Sequence, residues 1–142
     1  MSEKIKIGVV LDPSARMPSK AHEWDAGFDL YTPREFCVLA HDCAVVDTGV
    51  HIAIPEGYVG FLKSKSGLNI RHNLISEGVI DAGYTGSIVV KLRNTGDDNH
   101  LFYAGDKITQ LVILPIPAFE LYRTDNIDDT ERGDNGFGST GR

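Results

Sequence analysis

Residues 87–94 alternate: Ile88, Val90 and Leu92 fall on one side of an extended chain, Lys91 and Arg93 on the other. Successive side chains of a strand point to opposite faces, so this pattern predicts a half-buried strand. Similar patterns recur along the chain. Residues 4–11 begin with alternation and break at Asp12-Pro13-Ser14-Ala15. Residues 35–46 are apolar but interrupted by His41-Asp42, which predicts two short strands. Residues 49–55 place Val50, Ile52 and Ile54 on one face, His51 and Ala53 on the other, and end in the turn Pro55-Glu56-Gly57. Residues 58–64 predict another strand and residues 100–103 a brief one. Residues 107–115 predict a strand with Ile108, Gln110, Val112 and Leu114 on one side, Gln110 being the polar member of that row. Turns every 8 to 12 residues or so and no long helical period indicate an all-β, jelly-roll-like sandwich or barrel with at most one short helix.

Three stretches carry candidate chemistry. Gly78-Val79-Ile80-Asp81-Ala82-Gly83-Tyr84-Thr85-Gly86 has strand-forming residues on both sides and reads as a tight hairpin. Backbone N–H and C=O groups at an open hairpin tip are not used by the ladder. They can meet a flat polar ring, while Asp81 holds a water and Tyr84 closes a wall. Read alone, the stretch also fits an ordinary hairpin with an exposed Asp. Lys65-Ser66-Gly67-Leu68 lies in a locally basic segment with Lys63, Arg71 and His72. Ser66 is placed to cap a short helix whose first N–H groups face an anion, and a solvated basic turn is the plainer alternative. Asp29, between Phe28 and Leu30, reads in isolation as a strand residue facing water. Trp24 is expected to pack.

Composition narrows the class. With 142 residues, 42% hydrophobic and 24% charged, the chain suits one globular domain. Its apolar runs are too short to span a membrane, and residues 1–11 lack the apolar run of a secretory leader. A cytoplasmic protein is expected, nuclear or in host cytosol if eukaryotic or viral, and not secreted. Cys37 and Cys43 leave a disulfide open, with two reduced thiols the expectation in such a compartment. The net charge of −6 argues against a nucleic-acid binder but not against one nucleotide held by local donors and a divalent cation. Residues 123–142 hold two large apolar side chains, Ile127 and Phe137, and are expected to form a mobile arm after a folded unit over 1–122. Gly136 to Gly141 spells G-x-G-x-x-G, but no strand and helix can flank it, so a dinucleotide site is set aside. A P-loop is set aside too, for want of its Lys. Arg132, Ser139 and Thr140 remain phosphate donors, and Phe137 is able to stack on a base.

The 78–86 stretch resembles the third signature motif of the trimeric dUTP diphosphatases (dUTPases). Asp25-Ala26-Gly27-Phe28-Asp29-Leu30-Tyr31, Lys65-Ser66-Gly67-Leu68, Gly105-Asp106-Lys107-Ile108-Thr109-Gln110-Leu111 and the run from Arg132 to Gly141 resemble the other four, in the family's order. The resemblance implies a jelly-roll homotrimer with three shared sites: phosphate motifs from one chain, hairpin from a second, tail from a third. It implies hydrolysis of dUTP to dUMP and pyrophosphate, which limits uracil in DNA and supplies dUMP for dTMP synthesis. By this resemblance Asp81 holds the attacking water. The backbone at Gly78, Val79, Ile80 and Asp81 reads uracil, and Tyr84 packs under the deoxyribose. Lys65, Ser66, Gly67 and Gln110 bind phosphates, and Asp29 orients the basic residue of the second motif. Arg132, Ser139 and Thr140 clamp the terminal phosphates, Gly138 belongs to the same substrate-binding run, and Phe137 covers the base. Mg²⁺ is held through substrate phosphates and water, with no protein cage. No nucleic-acid or membrane partner is implied. Lys65 departs from the family pattern, which has Arg there, and gives a point charge in place of a planar fork. The related dCTP deaminases carry a catalytic Glu ten positions beyond the hairpin Asp, where this chain has Lys91. A non-catalytic nucleotide sensor on the same scaffold is the rival from another class.

Overall fold

The computed structural model describes residues 3–136. Among them eleven strands and one helix follow in order: β1 (Val9–Leu11), β2 (Gly27–Tyr31), β3 (Phe36–Val38), β4 (Cys43–Asp47), β5 (Val50–Ile52), β6 (Tyr58–Lys63), α1 (Ser66–His72), β7 (Leu74–Ile75), β8 (Glu77–Ile80), β9 (Val89–Asn94), β10 (His100–Phe102) and β11 (Lys107–Pro115). All pairings are antiparallel. They form a four-stranded sheet β2-β11-β6-β8, a three-stranded sheet β4-β9-β7, and the two-stranded ribbons β1-β5 and β3-β10. The sheets do not close into a barrel.

Alternation builds the core. Val90 and Leu92 of β9 are buried while Lys91 and Arg93 are exposed, and Val50 and Ile52 of β5 are buried on either side of the half-buried His51. These side chains join Leu30, Leu62 and Leu111 of the four-stranded sheet in one cluster. Full burial of each such side chain stabilises by about 1.5–3 kcal/mol. Buried polar side chains are satisfied as well. Asn94 donates to Val38 O (3.1 Å) and Asp98 O (2.8 Å), and its Oδ1 accepts from Gly96 N (2.9 Å).

Three local expectations are corrected. The first strand covers Val9–Leu11, not residues 4–11, because its partner β5 offers three residues to pair with. In β11 the inward row is Ile108, Thr109 and Leu111, with Gln110 and Val112 half-buried on the other side. The cause is a register shift against β2 between Lys107 and Thr109, which turns two successive residues inward and reverses the alternation after it. Trp24 does not pack inside: it is 83% exposed and stacks on His22 in a turn closed by His22 N donating to Asp25 Oδ2. Cys37 and Cys43 are free thiols. After Ile116, whose N–H donates to Gly57 O (2.8 Å), residues 117–136 carry no strand or helix and are exposed throughout.

Candidate functional site

Asp29 of β2 is 6% exposed, and a buried carboxylate needs cationic or hydrogen-bonding partners. It has two: Lys65 pairs with Oδ1 and Lys107 with Oδ2, the latter at 3.3 Å. Lys65 is the N-cap residue of α1 and spends its side chain on Asp29. Ser66 is therefore the first helical residue and not the cap, correcting the sequence expectation; no side chain caps this helix. The first intrahelical bond runs from Asn69 N to Lys65 O (2.9 Å). The N–H groups of Ser66, Gly67 and Leu68 thus precede it and lack intrahelical partners. With no acid in the first turn, these donors and the helix dipole favour an anion.

Gln110 lies opposite Asp29 in β2 and Lys63 in β6. Its Nε2 donates to Ser64 O (3.0 Å), which leaves one amide proton uncommitted by that bond. Its Oε1 lies over Gly27, where a Cβ would collide with it, so Gly27 is what admits the amide. Beneath, Ser64 Oγ accepts from Ser76 N (2.9 Å), Ser76 Oγ meets Thr109 Oγ1 (2.8 Å), and Thr109 Oγ1 donates to Lys63 O (3.0 Å). This polar network holds the strand end that leads into Lys65.

Gly78, Val79 and Ile80 pair with Leu62, Phe61 and Gly60 of β6. β8 is an edge strand, so backbone groups on its outer side are unpaired within the sheet. Asp81 follows it, exposed. The chain turns with Tyr84 N donating to Asp81 O (3.2 Å) and Gly83 at φ +86°, a conformation that disfavours other residues. Tyr84 Oη donates to Ser87 O (2.7 Å), and a Cβ at Gly86 would run into that hydroxyl. The hairpin expected here is corrected. β8 pairs with β6, whereas β9 pairs with β4 and β7, so residues 81–88 form a corner between sheets without a shared ladder.

The expected residues therefore fall into separate groups. Asp29, Lys65 and Gln110 come together beside Ser66 and Gly67. Asp29, Gln110, Lys63 and Glu77 form one cross-strand row, and Asp81 lies four residues farther along β8, about 13 Å at strand rise. A pocket of about 310 Å³ includes Tyr84, Thr85 and His51 in its walls. Another, of about 580 Å³, includes Lys107, Tyr31 and Arg16, and the two share no residue. Arg132 donates to Asn135 O (2.7 Å), a local bond in the exposed segment. Phe137, Gly138, Ser139 and Thr140 lie outside the described residues.

Sequence reasoning assigned no role to Lys107, Ser64 or His51. Lys107 stood inside a recognised motif, but its reach to Asp29 depends on the bulged register of β11. Ser64 acts through its carbonyl, which has no side-chain signature. His51 interrupts an apolar alternation and binds Thr85 O and Asp12 Oδ1, a visible but unread signal. Among the described residues, no three or more His, Cys, Asp or Glu side chains gather as a metal-ligating group.

A strand-built sandwich with a cationic cluster, free helix N–H groups and an isolated carboxylate beside an edge strand has the parts of a phosphorylated-ligand-binding protein. Comparison with known proteins is more specific. The dUTPase family model matches residues 13–141. A deoxyuridine 5'-triphosphate nucleotidohydrolase of Cutibacterium acnes is 42% identical, over 96% of this chain and 92% of that protein. One from Thermobifida fusca is also 42% identical, over 92% and 75%. Among solved structures, the Staphylococcus bacteriophage 80alpha dUTPase with dUPNHPP matches at TM-score 0.87 and 33% identity, covering 98% of this chain and all of that one. A mutant dUTPase from phage phi11 of S. aureus, described as coordinating a structural Mg(II) ion, matches at TM-score 0.80 and 31% identity over 86% and 98%. The chain belongs to the dUTPase family, and its fold is that family's jelly roll.

Proposed function

We propose that this protein is a dUTP diphosphatase, hydrolysing dUTP to dUMP and pyrophosphate. One observation carries the reading: the family's motifs are present with Asp81 exposed next to an edge strand, and the phosphate-suited groups Lys65, Ser66, Gly67 and Gln110 gathered around Asp29. The Asp81 carboxylate accepts a proton from water as it attacks the α-phosphorus. Phosphoryl chemistry of this kind asks mainly for positioning and charge neutralisation. The outer edge of β8, at Gly78, Val79, Ile80 and Asp81, supplies backbone groups for uracil, and Tyr84 supplies a ring for the deoxyribose. Asp29 holds Lys65 toward the phosphates. Arg132 and the segment with Phe137, Gly138, Ser139 and Thr140 cover the bound nucleotide and exclude water.

The separation of Asp81 from the Asp29 row along β8 supports a site assembled from different copies of the chain, and we take the assembly to be a homotrimer. Mg²⁺ would be held here largely through substrate phosphates and water, as Mg²⁺ commonly is, with few protein ligands. When bound it neutralises phosphate charge.

The deaminase reading is disfavoured by Lys91, an exposed cation on β9 that cannot act as a general-acid carboxyl. The test is incubation of the purified protein with dUTP and each common dNTP. Pyrophosphate from dUTP alone is expected. Ammonia from dCTP would install the deaminase reading, and tight dUTP binding without hydrolysis would install a sensor.

A further inference from the structure

His51 sits on β5 between Val50 and Ile52, and each of its ring nitrogens reaches an oxygen. Nδ1 lies 2.8 Å from Thr85 O, and Nε2 lies 2.9 Å from Asp12 Oδ1. A carbonyl and a carboxylate oxygen both accept, so both nitrogens must donate. The imidazolium alone has two N–H groups. His51 thus ties the segment after β1 to the corner that carries Asp81 and Tyr84, partners 39 and 34 residues away in sequence.

The corner is built so that this tie matters. Tyr84 N on Asp81 O and Tyr84 Oη on Ser87 O make residues 81–87 a compact unit. Side chains of other elements hold it at three places: His51 at Thr85 O, the tip side of the corner, and, where it runs into β9, Asp47 at the Ser87 side chain and Thr48 Oγ1 at Ile88 O (2.7 Å). The charged groups facing the ring are Asp12 and, farther off, Asp47 at the end of β4, which is itself held by Gly49 N (2.9 Å). Both favour the cation, and the phenol of Tyr84 shares the adjoining pocket.

We propose that the His51 imidazolium is a positioning residue for the reaction: by donating to Thr85 O while anchored on Asp12, it fixes the corner that presents Asp81 and Tyr84. This rests on the reading that the corner binds the nucleoside and the reacting water. A neutral ring keeps one N–H and cannot serve both oxygens, so one arm of the tie is lost. The hydrogen bond to Thr85 O, then that to Asp12, raises the pKa of His51 above the ordinary histidine value. The tie is therefore complete below the ordinary value and fails as pH rises through the raised one.

The test measures KM and kcat for dUTP on the full chain between about pH 6 and pH 9, for wild type, His51→Leu, His51→Asn and Asp81→Asn. Nitrogen NMR of the histidine rings runs in parallel. Asn places an amide donor near the Nδ1 position but does not titrate. His51→Leu removes both arms of the tie, and losing the charge-assisted grip on Thr85 O is expected to raise KM by about tenfold, with kcat less affected. His51→Asn is expected to recover most of that loss and to lack the alkaline rise in KM that wild type shows as the His51 ring deprotonates. Wild-type KM in His51→Leu, no recovery in His51→Asn, or a wild-type KM that does not follow the ring titration would each overturn the proposal. Should His51→Leu fail to fold by circular dichroism, the absence of an alkaline rise in His51→Asn carries the test. Full turnover in Asp81→Asn would instead overturn the reading of the site, and the proposal with it.

Discussion

Asp29 and His51 follow one rule: a polar side chain taken from water must be answered, and the answer fixes its neighbours. Asp29 was readable as a motif residue, yet its burial and its second partner Lys107 depend on strand register that no local pattern reports. Histidines show the same rule in pH dependence. His100 packs edge-on against Phe102 and tilted against His72 (centroids 4.5 and 4.6 Å), and burial, then the neighbouring His72 charge, push its pKa below the ordinary value, with Asp106 opposing. A histidine with a depressed folded pKa contributes stability that is present above its unfolded pKa and lost as pH falls through the folded one. Thermal melts between about pH 7 and about pH 5 are expected to show this loss in wild type and less of it in His100→Phe. Equal slopes in the two would remove His100 as the cause.

Strands came through the sequence well because alternation is a local signal. β9 and β6 lie within a residue or two of their predicted limits, and β11 matches them. Facing and connectivity did not, because both depend on partners. The bulge in β11 reverses which residues look inward after Lys107, and nothing in its composition announces it. The stretch around Asp81 has the turn chemistry of a hairpin, but its flanking strands belong to different sheets. At this scale Asn94 is a testable joint. At the end of β9 it satisfies Val38, Asp98 and Gly96 at once. Asn94→Ala leaves these groups unanswered and should destabilise by about 2–4 kcal/mol, read by urea unfolding. Turnover at low temperature should be retained, and a loss under about 0.5 kcal/mol would place the joint's stability elsewhere.

Across the whole molecule, exposure points to missing cover. Trp24, Phe119, Leu121, Tyr122 and Ile127 are mostly exposed in the single chain, and residues 117–136 are exposed throughout. Apolar surface of this kind is characteristic of interfaces. Together with the roughly 13 Å between Asp81 and the Asp29 row, it predicts complementation. Asp81→Asn and Lys65→Ala, each weakly active alone, should regain part of the turnover when refolded together, since a hybrid site can draw an intact half from each chain. No gain on mixing would mean that each chain holds a complete site. The proposed mechanism rests on Asp81, and it is tested most directly by pyrophosphate release from dUTP in Asp81→Asn, with binding of a non-hydrolysable analogue measured alongside. Loss of a positioned base should lower turnover by about 10²–10⁴-fold while the analogue binds nearly as in wild type. Turnover within a few-fold of wild type would contradict the assignment.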